Sequence, residues 1–290
     1  MRCLLASLLI VIVTTLFGCH SNSRQNTLTV SIEPQRFLLE QIVGDKWDVV
    51  TLLGNGDDPE NFDPTMANFR DLADSRAYFT VGTINFESTV ANRMGSDLHI
   101  VDTGEGVNRL YGTHLHHHDH EGHADAPEEM DPHIWVSMGG LKRMSNNMLG
   151  AMIEIDPANA LFYKANHARL VAYLDSCTAV IDRNLEQSAG KAFMVWHPTL
   201  SYFAREHSLE QLPIGMENKE MSVASFRHNI EDARSHGVSV FFVEPGFDSG
   251  KSASIASEAG ITSSEINTMI QNLPAELIGI SKVLASNNNH

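Results

Sequence analysis

A long stretch without any strand signal divides the chain, and it constrains the fold more than any other feature of the sequence. From Asp156 to Glu186 the apolar residues recur at helical spacing. Asp156 is a suitable N-cap, and Pro157 suits the first helical position. A helix of this size would be about 45 Å long, which is longer than a typical globular helix. We therefore predict a long helix that joins two folded halves.

Short apolar runs on both sides of this helix predict the strands. They are Leu28–Ile32, Trp47–Leu53, Ala77–Val81, Leu98–Val101, Ala192–Trp196 and Ser239–Val243. Helical stretches separate these runs, and such alternation is typical of α/β architecture with mainly parallel sheets. We expect an N-terminal α/β lobe over residues 27–155, a linking helix over 156–189 and a C-terminal α/β lobe over 190–290.

The N-terminus has the features of an export signal. One basic residue is followed by thirteen apolar-rich residues, Leu4 to Leu16, and then by Gly18 and Cys19. That apolar run is too short to span a bilayer as a helix. We expect a signal peptide over 1–18, a lipidated Cys19 and a tether over 19–26. These features predict a protein of the periplasm or cell surface that is held at the membrane only through lipid.

Cysteine content and charge narrow the possible partners. With Cys3 removed in the signal and Cys19 lipidated, Cys177 is left alone, so no disulfide framework is possible. We interpret Cys177 as a small buried apolar residue. The formal charge of −16 disfavours nucleic acid and anionic lipid headgroups as partners.

Four candidate metal ligands lie beside the apolar runs. Glu60 follows the second run, His197 ends the fifth, and Asp248 follows the sixth. His133 stands after Pro132, where the apolar run Ile134–Val136 begins. Ligands of open parallel sheets bind beyond the carboxyl ends of strands. Two imidazoles and two or three carboxylates there form a suitable set for a divalent transition metal.

Spacing alone leaves this interpretation open. The candidates are separated by 73, 64 and 51 residues, which matches no compact zinc motif. A single histidine at the end of a strand is more often a hydrogen-bonded structural residue than a ligand.

A polar, acidic segment over residues 113–130 is rich in histidine and has no hydrophobic period. Its histidines are His114, His116, His117, His118, His120 and His123. This composition is typical of a flexible metal-binding loop. We interpret it as an auxiliary loop that gathers ions weakly for a fixed site; a dispensable buffer or a linker is the alternative.

Four segments together resemble the solute-binding proteins of zinc and manganese ABC transporters, the ZnuA/TroA-type family. GDDPENFDPT resembles the family's P-H-x-F-E-P segment, and EEMDPHIWVSM resembles its D-P-H-x-W signature. FMVWHPTLSYFAREHSLEQ is similar to its F-x-x-x-H-x-x-x-x-Y-F-A segment, and VFFVEPGFDSG to its F-x-E-P-x-F turn. The resemblance extends from about Leu28 to the C-terminus.

The resemblance implies a fold, a site and a function. It implies two Rossmann-like lobes joined by one rigid helix, with the metal between them. It places His133 and His197 on two family ligands, and Asp248 where an aspartate completes the site in some members. Glu60 stands where the family usually has histidine, so this chain departs there. The implied protein is a monomeric receptor that captures Zn²⁺ and delivers it to the membrane permease of an ABC importer. A receptor for Mn²⁺ or iron is the alternative, because two carboxylates make a harder site.

Other functions were weighed against this one. A zinc metallohydrolase could use the same ligands, with Glu244 or Asp58 as the general base. Neither carboxylate sits in a recognised catalytic motif, so we expect no enzyme activity. An additional role as an adhesin stays open. We expect Trp135 to pack beside the ligands, and Asp131 either to close its own turn or to orient a ligand.

Overall fold

The computed structural model describes six stretches of the chain. They are residues 26–54, 59–112, 130–188, 191–214, 223–246 and 249–286. Cys19, the histidines of the 113–130 loop, Asp58 and Asp248 lie outside these described residues.

The first half of the described chain forms a parallel sheet with helices. Its strands are β1 (Thr27–Val30), β2 (Asp48–Thr51), β3 (Ala77–Thr80) and β4 (Ile100–Asp102), in the order β2-β1-β3-β4. Its helices are α1 (Glu33–Val43), α2 (Met66–Ala73), α3 (Asn85–Met94) and α4 (Met138–Ile155). Each neighbouring pair of strands is parallel, so all the carboxyl ends lie at one edge.

The long helix follows and is flanked by the second parallel sheet. Helix α5 is Ala160–Leu185 and is preceded by a 3-10 turn, Pro157–Asn159. The second sheet contains β5 (Ala192–Val195), β6 (Glu210–Pro213), β7 (Val240–Val243) and β8 (Thr262–Glu265), in the order β6-β5-β7-β8. Its helices are α6 (Ser201–Glu206), α7 (Val223–Ser235), α8 (Ser249–Ala259) and α9 (Leu273–Ser286). The expected α/β class with two parallel sheets and a long connecting helix is confirmed.

Alternation along the strands of the second sheet divides its apolar side chains between two clusters. Phe193 and Phe242 face a large core that also contains the first sheet and the buried face of α5. Met194 and Phe241 face a separate, smaller cluster. Successive residues of a strand point to opposite faces of the sheet, so each strand contributes to both clusters. Helix α5 packs against α1, α4 and α9, and therefore contacts elements from both halves.

Sequence reasoning was incomplete about two strands. The apolar run Ile134–Val136, which was not among the predicted strands, is a buried turn that leads into α4. The missed strands, β6 and β8, are the outer strands of their sheet and have mostly polar or exposed residues.

Helix α6 connects the two halves through polar contacts. The Tyr202 hydroxyl donates to the Asp131 carbonyl at 2.9 Å and accepts from the Leu110 amide at 3.1 Å. The Glu206 carboxylate accepts from the backbone amides of Met138 and Gly139 at 2.9 and 3.0 Å. These amides are at the N-terminus of α4, where backbone donors need partners and a negative charge is favourable. The second half thus holds the turn and the helix that follow residue 130.

No helix among the residues that the structure describes combines the length and the apolar character needed to cross a membrane.

Replacing Tyr202 by phenylalanine is expected to destabilise the metal-free protein. The change leaves the Leu110 amide and the Asp131 carbonyl without this partner, which should lower the free energy of unfolding by about 1–3 kcal/mol. Urea unfolding measures it. The matched control is Tyr173→Phe, because that hydroxyl donates to Asn272 at an exposed position; its effect should stay below about 0.5 kcal/mol. An equal loss of unfolding free energy in the two variants would contradict the role of the Tyr202 hydroxyl in connecting the two halves.

Candidate metal centre

Three of the four predicted ligands come together at the carboxyl ends of the two sheets. One ligand atom each from Glu60, His133 and His197 lies within 4.8 Å of the other two. Glu60 and His133 come from the first half of the chain, and His197 comes from the second. The candidate site therefore lies between the two lobes. The fourth predicted ligand, Asp248, lies outside the described residues.

A buried turn fixes the position of His133. The Asp131 carboxylate oxygen Oδ1 accepts from both the backbone amide and the Nδ1 of His133, each at 2.9 Å. Asp131 thereby closes its own turn and orients the ring, so both roles considered for it from the sequence occur together. Because Nδ1 donates its hydrogen to Asp131, the lone pair of the neutral ring is on Nε2. The His133 ring is 2 % exposed, and its Nε2 faces Glu60.

The backbone after His133 requires a glycine. A Cβ atom at Gly140 would lie 1.9 Å from the carbonyl oxygen of Ile134, which no larger residue could tolerate. Ser137 begins α4, and its hydroxyl accepts from the Gly140 amide at 3.0 Å. The start of α4 therefore packs directly against the turn that carries His133.

Aromatic packing surrounds the histidine pair. The Trp135 ring lies 5.2 Å from the His133 ring, and its Nε1 donates to the Thr268 carbonyl at 3.1 Å. The rings of His133 and His197 meet edge to face at 5.1 Å. Trp135 is fully buried and packs beside His133, as expected from the sequence, while its bond to Thr268 connects the site to the second half.

Glu60 bridges the two imidazoles. Its Oε1 lies 3.1 Å from His197 Nε2 and 3.5 Å from His133 Nε2. The nearby Phe62 packs against Phe86 of α3 with ring centroids 5.0 Å apart, which anchors the loop after β2. Zinc binds nitrogen and oxygen at about 2.0–2.2 Å, so ligand atoms around a tetrahedral ion are about 3.3 Å apart. The two observed distances lie on either side of that value.

Electrostatics in the site favour positive charge. Burial on its own lowers the pKa of His197, but the hydrogen bond and charge of Glu60, together with the charges of Glu244 and Asp131, raise it above the ordinary value. Burial raises the pKa of Asp131, yet its bonds to His133 outweigh burial and hold that pKa at about 2. The carboxylates therefore attract a cation, and a proton on His197 competes with a metal ion.

Glu244 is a further acidic side chain that interacts with the two histidines. Sequence reasoning placed it directly after the sixth apolar run but named it only as a possible general base of a hydrolase. It directly follows β7, and its pKa is raised by burial and lowered in part by Thr268, His133 and His197. The available signal was its place at the end of an apolar run, the same signal that selected His197.

The chain is similar to known proteins over most of its length. The family model of ZnuA, zinc-uptake complex component A, periplasmic, matches residues 28–277. The chain is 27 % identical over 243 residues to the high-affinity zinc uptake system protein ZnuA of Bacillus subtilis, which covers 81 % of this chain and 76 % of that protein. A crystal structure of ZnuA is 27 % identical, has a TM-score of 0.79 and covers 90 % of this chain and 98 % of its own. A zinc-bound ZnuA deletion mutant also has a TM-score of 0.79 and 27 % identity, over 92 % of this chain and 99 % of its own.

Replacing Asp131 by asparagine is expected to weaken zinc binding about 10- to 100-fold, the usual cost of losing a partner that orients a metal ligand. The asparagine side chain can still accept one hydrogen bond from His133. It lacks the negative charge that favours a hydrogen on Nδ1 of His133 and a free lone pair on Nε2. A competition titration with a zinc chelator measures the change. The control is Asp156→Asn, because Asp156 accepts from Tyr163 and Asn159 instead of a candidate ligand. Unchanged affinity in Asp131→Asn would show that the contact does not tune the site.

Zinc affinity should fall with decreasing pH, beginning above the ordinary histidine pKa of about 6.5. The folded-state pKa of His197 is raised, so this imidazole becomes protonated at a higher pH than a free histidine and then cannot bind a metal. Chelator competition between about pH 8 and pH 5.5 tests this, because each displaced proton costs up to about tenfold in affinity per pH unit. A flat profile over that range would contradict proton competition at this site.

Proposed function

Because the chain belongs to the ZnuA family of zinc-uptake proteins, we propose that it is an extracytoplasmic receptor that captures Zn²⁺ and delivers it to an ABC-type importer. The observation that supports this most is the group of Glu60, His133 and His197, whose ligand atoms lie within 4.8 Å of one another. Such a group at the boundary of two lobes suits the reversible capture of one ion.

Zinc is the proposed substrate for chemical reasons and by family. Two imidazoles supply the borderline nitrogen donors that suit zinc, while Glu60 and a carboxylate of the second half add harder oxygen donors. Zinc exceeds manganese in intrinsic affinity at most nitrogen and oxygen sites. The relatives named above are zinc-uptake proteins. Manganese or iron remains the alternative substrate, since carboxylate ligands reduce the preference of a site for zinc over these harder ions.

The location and partners follow from the same proposal. A receptor of this kind works outside the cytoplasm, and the sequence around Cys19 suits export and attachment through lipid. Its partner is the membrane permease of the importer, to which a monomeric receptor presents its ion. The role requires no chemical turnover, so a receptor and a hydrolase differ in one measurement: the receptor saturates at one ion and converts nothing.

Removing both histidines should abolish tight binding. Native mass spectrometry and calorimetry of the purified protein are expected to find one tightly bound zinc ion, and His133→Ala with His197→Ala should lose it while keeping the fold. The control is His236→Ala, because His236 directly follows α7, is more exposed and contacts Asp232. If the double variant still binds one equivalent of zinc with native affinity, the proposed site is wrong.

Deleting residues 114–123 should reduce the number of weakly bound ions and leave the tight ion in place. Separate histidines of a polar loop supply many weak contacts, whereas the tight site uses His133 and His197. Calorimetry of the deletion variant counts both classes of ion. A deletion that removes the tight ion would show that the loop contributes a ligand, and the division of tasks would be wrong.

A further inference from the structure

Glu244 occupies a position in the second sheet equivalent to that of His197. Strands β5 and β7 are parallel neighbours, with Val195 opposite Phe242. Continuing this register by two residues brings His197 opposite Glu244. These strands are the central pair of the order β6-β5-β7-β8, where connections leave the sheet in opposite directions. Ligands of open parallel sheets bind in the crevice at that point.

No lysine or arginine among the described side chains forms an ion pair with Glu244. Its Oε1 accepts from the Thr268 hydroxyl at 2.7 Å, and it interacts electrostatically with His133 and His197. Burial raises the pKa of Glu244, because a buried carboxylate is costly without a cation or several hydrogen bonds. A cation held by the two imidazoles would stabilise the ionised form of Glu244.

A closed zinc site needs four ligands, and the close group of described residues supplies three. We propose that Glu244 provides the fourth, so that the bound ion has two nitrogen and two carboxylate ligands. This inference rests on the proposed function. The Glu244 oxygens do not belong to the group within 4.8 Å, so binding requires its side chain to turn toward the ion. A carboxylate has about four lone-pair sites, and the bond from Thr268 uses one of them.

Thr268 gives the proposal a structural basis beyond proximity. Its hydroxyl holds the Glu244 carboxylate, while its carbonyl accepts from Trp135, the residue that packs on His133. Thr268, in the segment after β8, therefore contacts both Glu244 and the Trp135 side chain that packs on His133. This arrangement keeps the Glu244 carboxylate beside Thr268, and its side chain turns toward the ion when one binds.

Cobalt substitution of the full protein tests the fourth ligand directly. Four-coordinate Co²⁺ absorbs visible light strongly, and higher coordination weakens the absorption. Glu244→Ala should weaken the cobalt spectrum, and added acetate should restore it by occupying the vacated position. Zinc affinity should fall by more than about tenfold, the lower end of what losing an outer partner costs. Manganese affinity should fall further, because manganese depends more on hard oxygen ligands.

Two further variants separate a ligand from a structural residue. Glu244→Gln keeps the shape and an acceptor for Thr268, so it should fold, yet its amide oxygen is a poor ligand and should give the same spectral change. The charge control is Glu265→Ala, because Glu265 is an exposed carboxylate on the adjacent strand, opposite Val243. It should leave the cobalt spectrum and both affinities unchanged.

The possible outcomes decide the proposal. Acetate rescue with a changed cobalt spectrum in Glu244→Ala supports direct binding. An unchanged cobalt spectrum in Glu244→Ala overturns the proposal. This holds whether the variant keeps its zinc affinity or loses it only because a negative charge was removed. If Asp248→Ala produces the rescued spectral change instead, Asp248 is the fourth ligand and Glu244 is not. Failure of the proposed function gives a different result, since the variant lacking His133 and His197 would then retain native zinc binding.

Discussion

The two hydrogen bonds from His133 to the Asp131 carboxylate are the interaction on which the site depends. They hold one imidazole in a buried turn with Nε2 toward Glu60. Asp131 is itself fixed, because its carbonyl accepts from Tyr202 and its amide donates to the Leu110 carbonyl at 3.0 Å. The orientation of a single ring thus follows from contacts that extend across both halves of the chain.

Metal binding and lobe packing are coupled through this arrangement. Glu60 and His133 belong to one half, His197 belongs to the other, and α5 packs against helices of both. An ion that binds all three side chains stabilises the packed state by mass action. The polar contacts of α6 hold the same two halves together without an ion, so the ligands start close to their binding geometry and little ordering is required on capture.

Sequence reasoning found the central strands of both sheets but missed two outer strands. The six apolar runs overlap six of the strands, because buried parallel strands are mostly apolar. Strands β6 and β8 were missed because outer strands expose polar residues. The closeness of Glu60, His133 and His197 followed from the family resemblance, since their spacing of many residues encodes no distance.

The exposure of the three side chains gives capture a direction. His133 is 2 % exposed, His197 is 15 % exposed and Glu60 is 21 % exposed, so solvent reaches the candidate site from the side of Glu60 and His197. In the proposed site, an incoming hydrated cation therefore meets Glu60 and His197 before it meets the buried His133. Carboxylate oxygens can replace water around a hydrated ion, and imidazoles supply the nitrogen donors that favour zinc. As a ligand, Glu60 would add a negative charge at the position where histidine is usual in the family.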